Sequence, residues 1–124
     1  MAGVPHMSIE QLKTVRELVR LMQVEIRDTA LTPDRASELC VKLTALIGNV
    51  AEEIRTADLD YARVLLRHLD GEDAANRAKI RAETSPEYQR KREARDTREL
   101  VVELVRSLKY LLRTAQEEMR LSGR

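Results

Sequence analysis

Two adjacent carboxylate pairs, Glu52-Glu53 and Glu117-Glu118, are the first residues in this chain whose types suggest chemistry. Converging carboxylates can hold a cation, or split their pKa values so that one acts as acid and the other as base. Neighbours in sequence do not converge on a helix, because each residue turns the side chain by about 100°. A bundle holding two metal ions would need Glu-x-x-His pairs on facing helices, and His68 has Leu65 three residues before it. The single Cys40 lies on an apolar seam with no base in its neighbourhood, the setting of a buried, inert thiol rather than a nucleophile. Cys40 with His6 and His68 cannot complete a Cys/His zinc site, and one cysteine makes no intrachain disulfide. His68, near a helix C-terminus, is accounted for by the helix dipole. Gly3, Gly48, Gly71 and Gly123 are isolated, so no phosphate-cradling loop exists. No catalytic residue, metal, cofactor or small-molecule substrate is therefore expected.

Basic side chains are the stronger signal. Net charge is only +1, but Arg77–Arg98 holds 8 basic residues against 4 acidic, a local excess of +4. The candidate nucleic-acid-binding residues are Arg77, Lys79 and Arg81, then Tyr88, Arg90, Lys91 and Arg92, then Arg95 and Arg98. The planar arginine fork matches phosphate oxygens, and Tyr88 offers a ring on which an unpaired base can stack, which points to single-stranded DNA or RNA. The competing reading is a solvated helix face, in which Glu87 with Lys91 and Arg92 with Asp96 form i,i+4 pairs.

These residues need elements to carry them, and the composition predicts helices. Ala, Leu, Glu, Lys and Arg make up 66 of 124 residues, above the roughly 50% that marks long-helix and coiled-coil chains. Phe and Trp are absent, so the core must be aliphatic. The length suits one domain: residues 8–124 are read as a single helical domain behind residues 1–7, which are expected to be disordered or cloning-derived ahead of a start at Met7. Ser8-Ile9-Glu10-Gln11 has capping-box form and predicts a first helix to about Arg27, with Leu12, Val15, Val19, Met22 and Ile26 on one face. Thr32-Pro33-Asp34 opens a second helix, whose seam is Ala36, Cys40, Leu43, Ile47, Val50, Ile54, Ala57, Tyr61, Val64 and His68. That unbroken three-four alternation predicts one helix to about Leu69, closed by Gly71 with its access to positive φ. Ala74, Ala75, Ala78 and Ala82 predict a short helix with a small-residue face and Ile80 as its one large anchor. Ser85-Pro86-Glu87 opens the last helix, to about Leu121, with the seam Ala94, Thr97, Val101, Leu104, Leu108, Leu111 and Ala115. The expected fold is all-α: an antiparallel bundle of two long helices plus an N-terminal helix and a short connecting helix.

At the chain reversal the last helix offers mostly polar residues, Tyr88 to Glu93, while the second helix still presents Val64, Leu65, Leu66 and Leu69. Apolar surface left over in this way predicts self-association or a partner at those four residues. No stretch reaches the roughly 18 apolar residues of a membrane span, and the N-terminus lacks the pattern of a signal peptide; the expectation is a cytoplasmic protein with no membrane contact.

From Arg77 to Leu121, a basic stretch (Arg77 to Arg81), then Tyr88, then a long terminal helix carrying Leu108-Lys109-Tyr110-Leu111-Leu112 resembles, in pattern, the small helical recombination mediators of tailed bacteriophages. The resemblance implies a homo-oligomeric ring that binds single-stranded DNA through the basic segment and touches recombination proteins: a recombinase and a single-strand-binding protein. The function expected is thus a non-enzymatic accessory role in DNA recombination or replication. The alternative is a protein-only adaptor or inhibitor that docks a partner on the exposed apolar helix face, or a structural component of a larger assembly.

Overall fold

Three hydroxyl side chains set where helices begin. Thr14 Oγ1 accepts from the Glu17 amide at 3.2 Å and donates to the Glu17 carboxylate at 3.1 Å. Thr32 Oγ1 accepts from the Arg35 amide at 3.1 Å, and Ser85 Oγ from the Tyr88 amide at 3.2 Å. Each satisfies an amide that has no partner within its own helix, and Pro33 and Pro86 fill first helical positions where a missing N–H costs nothing. The computed structural model, which describes residues 14–71 and 74–123, accordingly contains α1 (Val15–Asp28), α2 (Pro33–Asp70), α3 (Ala75–Glu83) and α4 (Pro86–Ser122). No strand occurs among the described residues, and the protein is all-α.

Two boundary expectations change. The helix foreseen from Ser8 does not run through Thr14, whose backbone is extended (φ −69°, ψ 161°) and which precedes α1; the capping box at Ser8–Gln11 and the seam residue Leu12 lie outside the described residues. Thr14 caps α1 with its hydroxyl, which accepts from the Glu17 amide. Gly71 does close α2, its amide reaching the Arg67 carbonyl at 3.1 Å, but without the left-handed φ that glycine permits. The expected continuity of α2 through Thr56-Ala57-Asp58 holds.

Contacts divide the chain into two compact units, Met1–Leu46 with Val101–Arg124, and Ile47–Leu100. Both long helices contribute to each. In the first unit the core is Val19 of α1, Ala36, Leu39 and Leu43 of α2, and Val101, Leu104 and Leu108 of α4, all buried. Steps of three and four on α2 and α4 are those of coiled-coil seams. Leu39, not the expected Cys40, takes a fully buried position, and Cys40 is half-buried; neighbouring residues sit about 100° apart, and the bulkier side chain occupies the centre of the apolar arc. The α1–α2 corner is held by polar groups. Thr29 Oγ1 donates to the Glu25 carbonyl at 2.6 Å, and the Arg35 guanidinium grips the Glu25 carboxylate with two bonds of 2.6 and 2.7 Å. This two-bond geometry holds the Glu25 carboxyl below its ordinary pKa.

The second unit is built from smaller side chains: Val50, Ala57 and Val64 of α2, Ala78 and Ala82 of α3, and Ala94 and Thr97 of α4 are its buried residues. The α2 residues recur every seventh position, two turns apart. Thr97 is accommodated because its hydroxyl donates to the Glu93 carbonyl at 2.8 Å. Ala78 and Ala82 are fully buried, whereas Ile80, expected to anchor α3, is 64% exposed. Two positions beyond Ala78 the helix has turned by about 200°, so one face cannot hold both. Ser85 makes the α3–α4 corner, donating to the Ala82 carbonyl while capping α4. Within this unit Asp58 meets Arg95 and Tyr61 meets Lys91 and Tyr88, a reversed order that makes the two segments antiparallel.

Candidate nucleic-acid interface

The nine residues expected to bind nucleic acid all lie in the second unit, on α3 and the first part of α4, but the structure gives them different tasks. On α3, Arg77, Lys79 and Arg81 are exposed. Arg77 and Arg81, four residues apart, share one flank of that helix, and Lys79 lies on the other. Small residues at Ala78 and Ala82 turn the helix's only buried stripe inward and so leave its basic side chains outside.

On α4, Lys91, Arg95 and Arg98 recur at i, i+4 and i+7, one stripe of a helix. Two of the three are engaged within the unit. The Lys91 ammonium sits 4.4 Å from the centroid of the Tyr61 ring, a cation–π contact. Arg95 pairs with Asp58 at 2.8 Å, while the other carboxylate oxygen of Asp58 is buried without a hydrogen-bond partner. Of the two i,i+4 pairs that a solvated face would use, Glu87 instead meets Arg90, at 3.5 Å. Arg77, Lys79, Arg92 and Arg98 are exposed and form no salt bridge among the described residues. Of the nine candidates, those four are exposed cations with neither a salt bridge nor a ring contact among the described residues.

Tyr88 does not serve as the open stacking platform expected of it. Its ring lies 5.3 Å from that of Tyr61, inclined at 54°, and both tyrosines are half-buried. Such tilted pairing satisfies the ring quadrupoles internally. Burial, chiefly, and the Glu83 and Tyr88 charges raise the pKa of the Tyr61 hydroxyl. Sequence reasoning missed this cluster, although Tyr61 stands on the apolar seam of α2 and, with no Phe or Trp in the chain, any ring facing it from α4 had to come from Tyr88 or Tyr110.

No protein-family model, curated protein or solved structure matches this chain. Its residues must carry the functional argument.

The second expected surface also changes. Val64 is only 5% exposed, buried in the unit's core, and Leu65 is half-buried. Leu66 and Leu69 are 57% and 40% exposed, and Leu59, which the sequence reading passed over, joins them at 51%. Leu59, Ala62, Leu66 and Leu69 follow steps of three, four and three, a second apolar stripe opposite the one through Val50, Ala57 and Val64. The signal was legible as a second phase of the same periodicity. Among the described residues no group of three or more His, Cys, Asp or Glu side chains gathers to hold a metal, and no helix is long and apolar enough to cross a membrane.

Proposed function

We propose that this protein is a non-enzymatic helical accessory factor that binds nucleic acid through the basic side chains of α3 and the first part of α4, in DNA recombination or replication. The observation that supports it is the set of exposed cations Arg77, Lys79, Arg92 and Arg98, which have no salt bridge among the described residues, within a segment of local charge excess +4. Cations with no salt bridge among the described residues can replace the counterions of a phosphate backbone, and release of those counterions drives association. The assignment to recombination or replication draws on the pattern resemblance to recombination mediators, and the associated homo-oligomer is part of the same proposal.

The test is salt-dependent binding of a labelled oligonucleotide by the wild type and by the combined variant Arg77→Ala, Arg92→Ala, Arg98→Ala. Each lost phosphate contact lowers the slope of log affinity against log salt by about 0.7 to 0.9, so the triple variant should lose roughly 2 to 3 units of slope. The charge-matched variant Arg106→Ala, Arg113→Ala, Arg120→Ala, placed in the other unit, should bind as the wild type does. Absence of binding at low salt, or equal losses in both triple variants, refutes the proposal.

A second reading has its own support in the exposed stripe Leu59, Ala62, Leu66 and Leu69. Soluble surfaces rarely display aligned leucines without use, and such a stripe suits an apolar helix face of a protein partner or of another copy of the chain. Under it, Leu66→Asp abolishes association seen by light scattering or pull-down while nucleic-acid affinity stays unchanged.

A further inference from the structure

Stacking an unpaired base calls for an open aromatic face, and in the basic segment the one ring is already paired while the exposed side chains are cations. We infer that the nucleic-acid contact is made to the phosphate backbone alone, so that duplex and single strand are bound alike; this rests on the nucleic-acid reading above. Preference for a single strand comes from stacking unpaired bases on aromatic rings, and each stacked base multiplies affinity by about five- to 150-fold. The chain contains no Phe or Trp and three tyrosines. Two of them, Tyr61 and Tyr88, face each other with centroids 5.3 Å apart, and Lys91 sits 4.4 Å over the Tyr61 ring. A base stacking between the two rings would have to part them, and one stacking on the Tyr61 face beneath Lys91 would have to displace the ammonium. Tyr110 is exposed and belongs to the other unit, so its part is tested by substitution.

The remaining chemistry is cationic. Arg77, Lys79, Arg92 and Arg98 present charge and N–H donors to any phosphate oxygen, which duplex and single strand both display. An arginine plane can itself stack on a base, so Lys in place of Arg separates the two contributions: it keeps the charge and removes the plane. With charge alone at work, duplex, which carries the denser phosphate array, binds at least as tightly as single strand.

The experiment measures binding of one labelled mixed-sequence oligonucleotide, single-stranded and annealed to its complement, by the full chain across a salt series. The expected result is a single-strand to duplex affinity ratio within about threefold of unity, with slopes near 0.7 and 0.9 per phosphate contact respectively. The double variant Arg92→Lys, Arg98→Lys should leave that ratio unchanged, and so should Tyr110→Ala. A preference for single strand of about tenfold or more, the signature of at least one stacked base, overturns the inference and leaves the nucleic-acid reading standing. So does a preference that collapses in the Lys double variant or in Tyr110→Ala. Binding of neither form at low salt overturns both.

Discussion

Replacing Ala78 by leucine should destabilise the protein more than replacing Ile80 by glutamate, although composition alone argues the opposite. Ala78 has no exposed surface and packs on the inward face of α3, with Ala82 one turn on, equally enclosed. The buried residues of this unit are alanines, valines and one threonine, so the helices are spaced for small side chains. Leucine adds three heavy atoms where no space is open, and inserting such volume into a packed core costs about 1–3 kcal/mol. Ile80 is 64% exposed, and a charged side chain at such a site changes stability by no more than about 0.5 kcal/mol. Urea unfolding followed by far-ultraviolet circular dichroism reads both. With a slope of about 1–3 kcal/mol per molar urea, a loss near 2 kcal/mol moves the midpoint by about 1 M. The Ile80→Glu midpoint should stay within about 0.3 M of wild type on the same arithmetic. If Ile80→Glu proves the more damaging change, or Ala78→Leu leaves the midpoint in place, then α3 packs through its isoleucine and the inward alanine stripe is wrong.

Leu108→Ala, at a fully buried seam position of α4, should cost about 2–5 kcal/mol, whereas Tyr110→Ala, two residues on and 70% exposed, should leave the melting temperature close to wild type. At Gly48 a Cβ would meet nothing within 4 Å, so Gly48→Ala should stabilise α2 by up to about 1 kcal/mol through helix propensity; a loss of stability would mean that the helix needs glycine's backbone freedom at that point. The Glu25–Arg35 pair predicts a pH signature. Because Arg35 lowers the folded-state pKa of Glu25 below 4.5, the pair's contribution is complete above that value and is lost as pH falls through the lower, folded one. The gap in urea midpoint between wild type and Glu25→Gln should therefore be present at neutral pH and close on acidification; a gap that persists to about pH 2 contradicts the assignment.

Much of the fold was readable from spacing. Of the residues that the three-four alternation along α2 and α4 named, Ala36, Leu43, Val50, Ala57, Val64, Ala94, Thr97, Val101, Leu104 and Leu108 are buried, whereas Ile47 of the same seam is exposed and the others are half-buried. Hydroxyl-proline pairs at Thr32-Pro33 and Ser85-Pro86 located two helix starts to the residue. The candidate site was less legible. Its basic residues could be counted, but nothing in their order says that Lys91 will turn to Tyr61, Arg95 to Asp58 and Arg90 to Glu87. Leu59 was missed because one apolar phase of α2 had already been assigned to the core, and a helix can carry two.

Helix identity and phase are local properties. They depend on backbone geometry, on caps within three residues and on a repeat of 3.6, so this sequence determined by itself that the chain is all-α and which faces of α2 and α4 turn inward. Whether a given side chain is free depends on what stands opposite it. Asp58 and Arg95 are 37 residues apart and meet only because two antiparallel segments pass each other at that level. The same passage closes the Tyr61–Tyr88 pair and buries Val64, while leaving Leu66 and Arg92 outside. Partners so distant in sequence leave no periodic signal, and tertiary structure alone decided which cations and which apolar residues remain for other molecules.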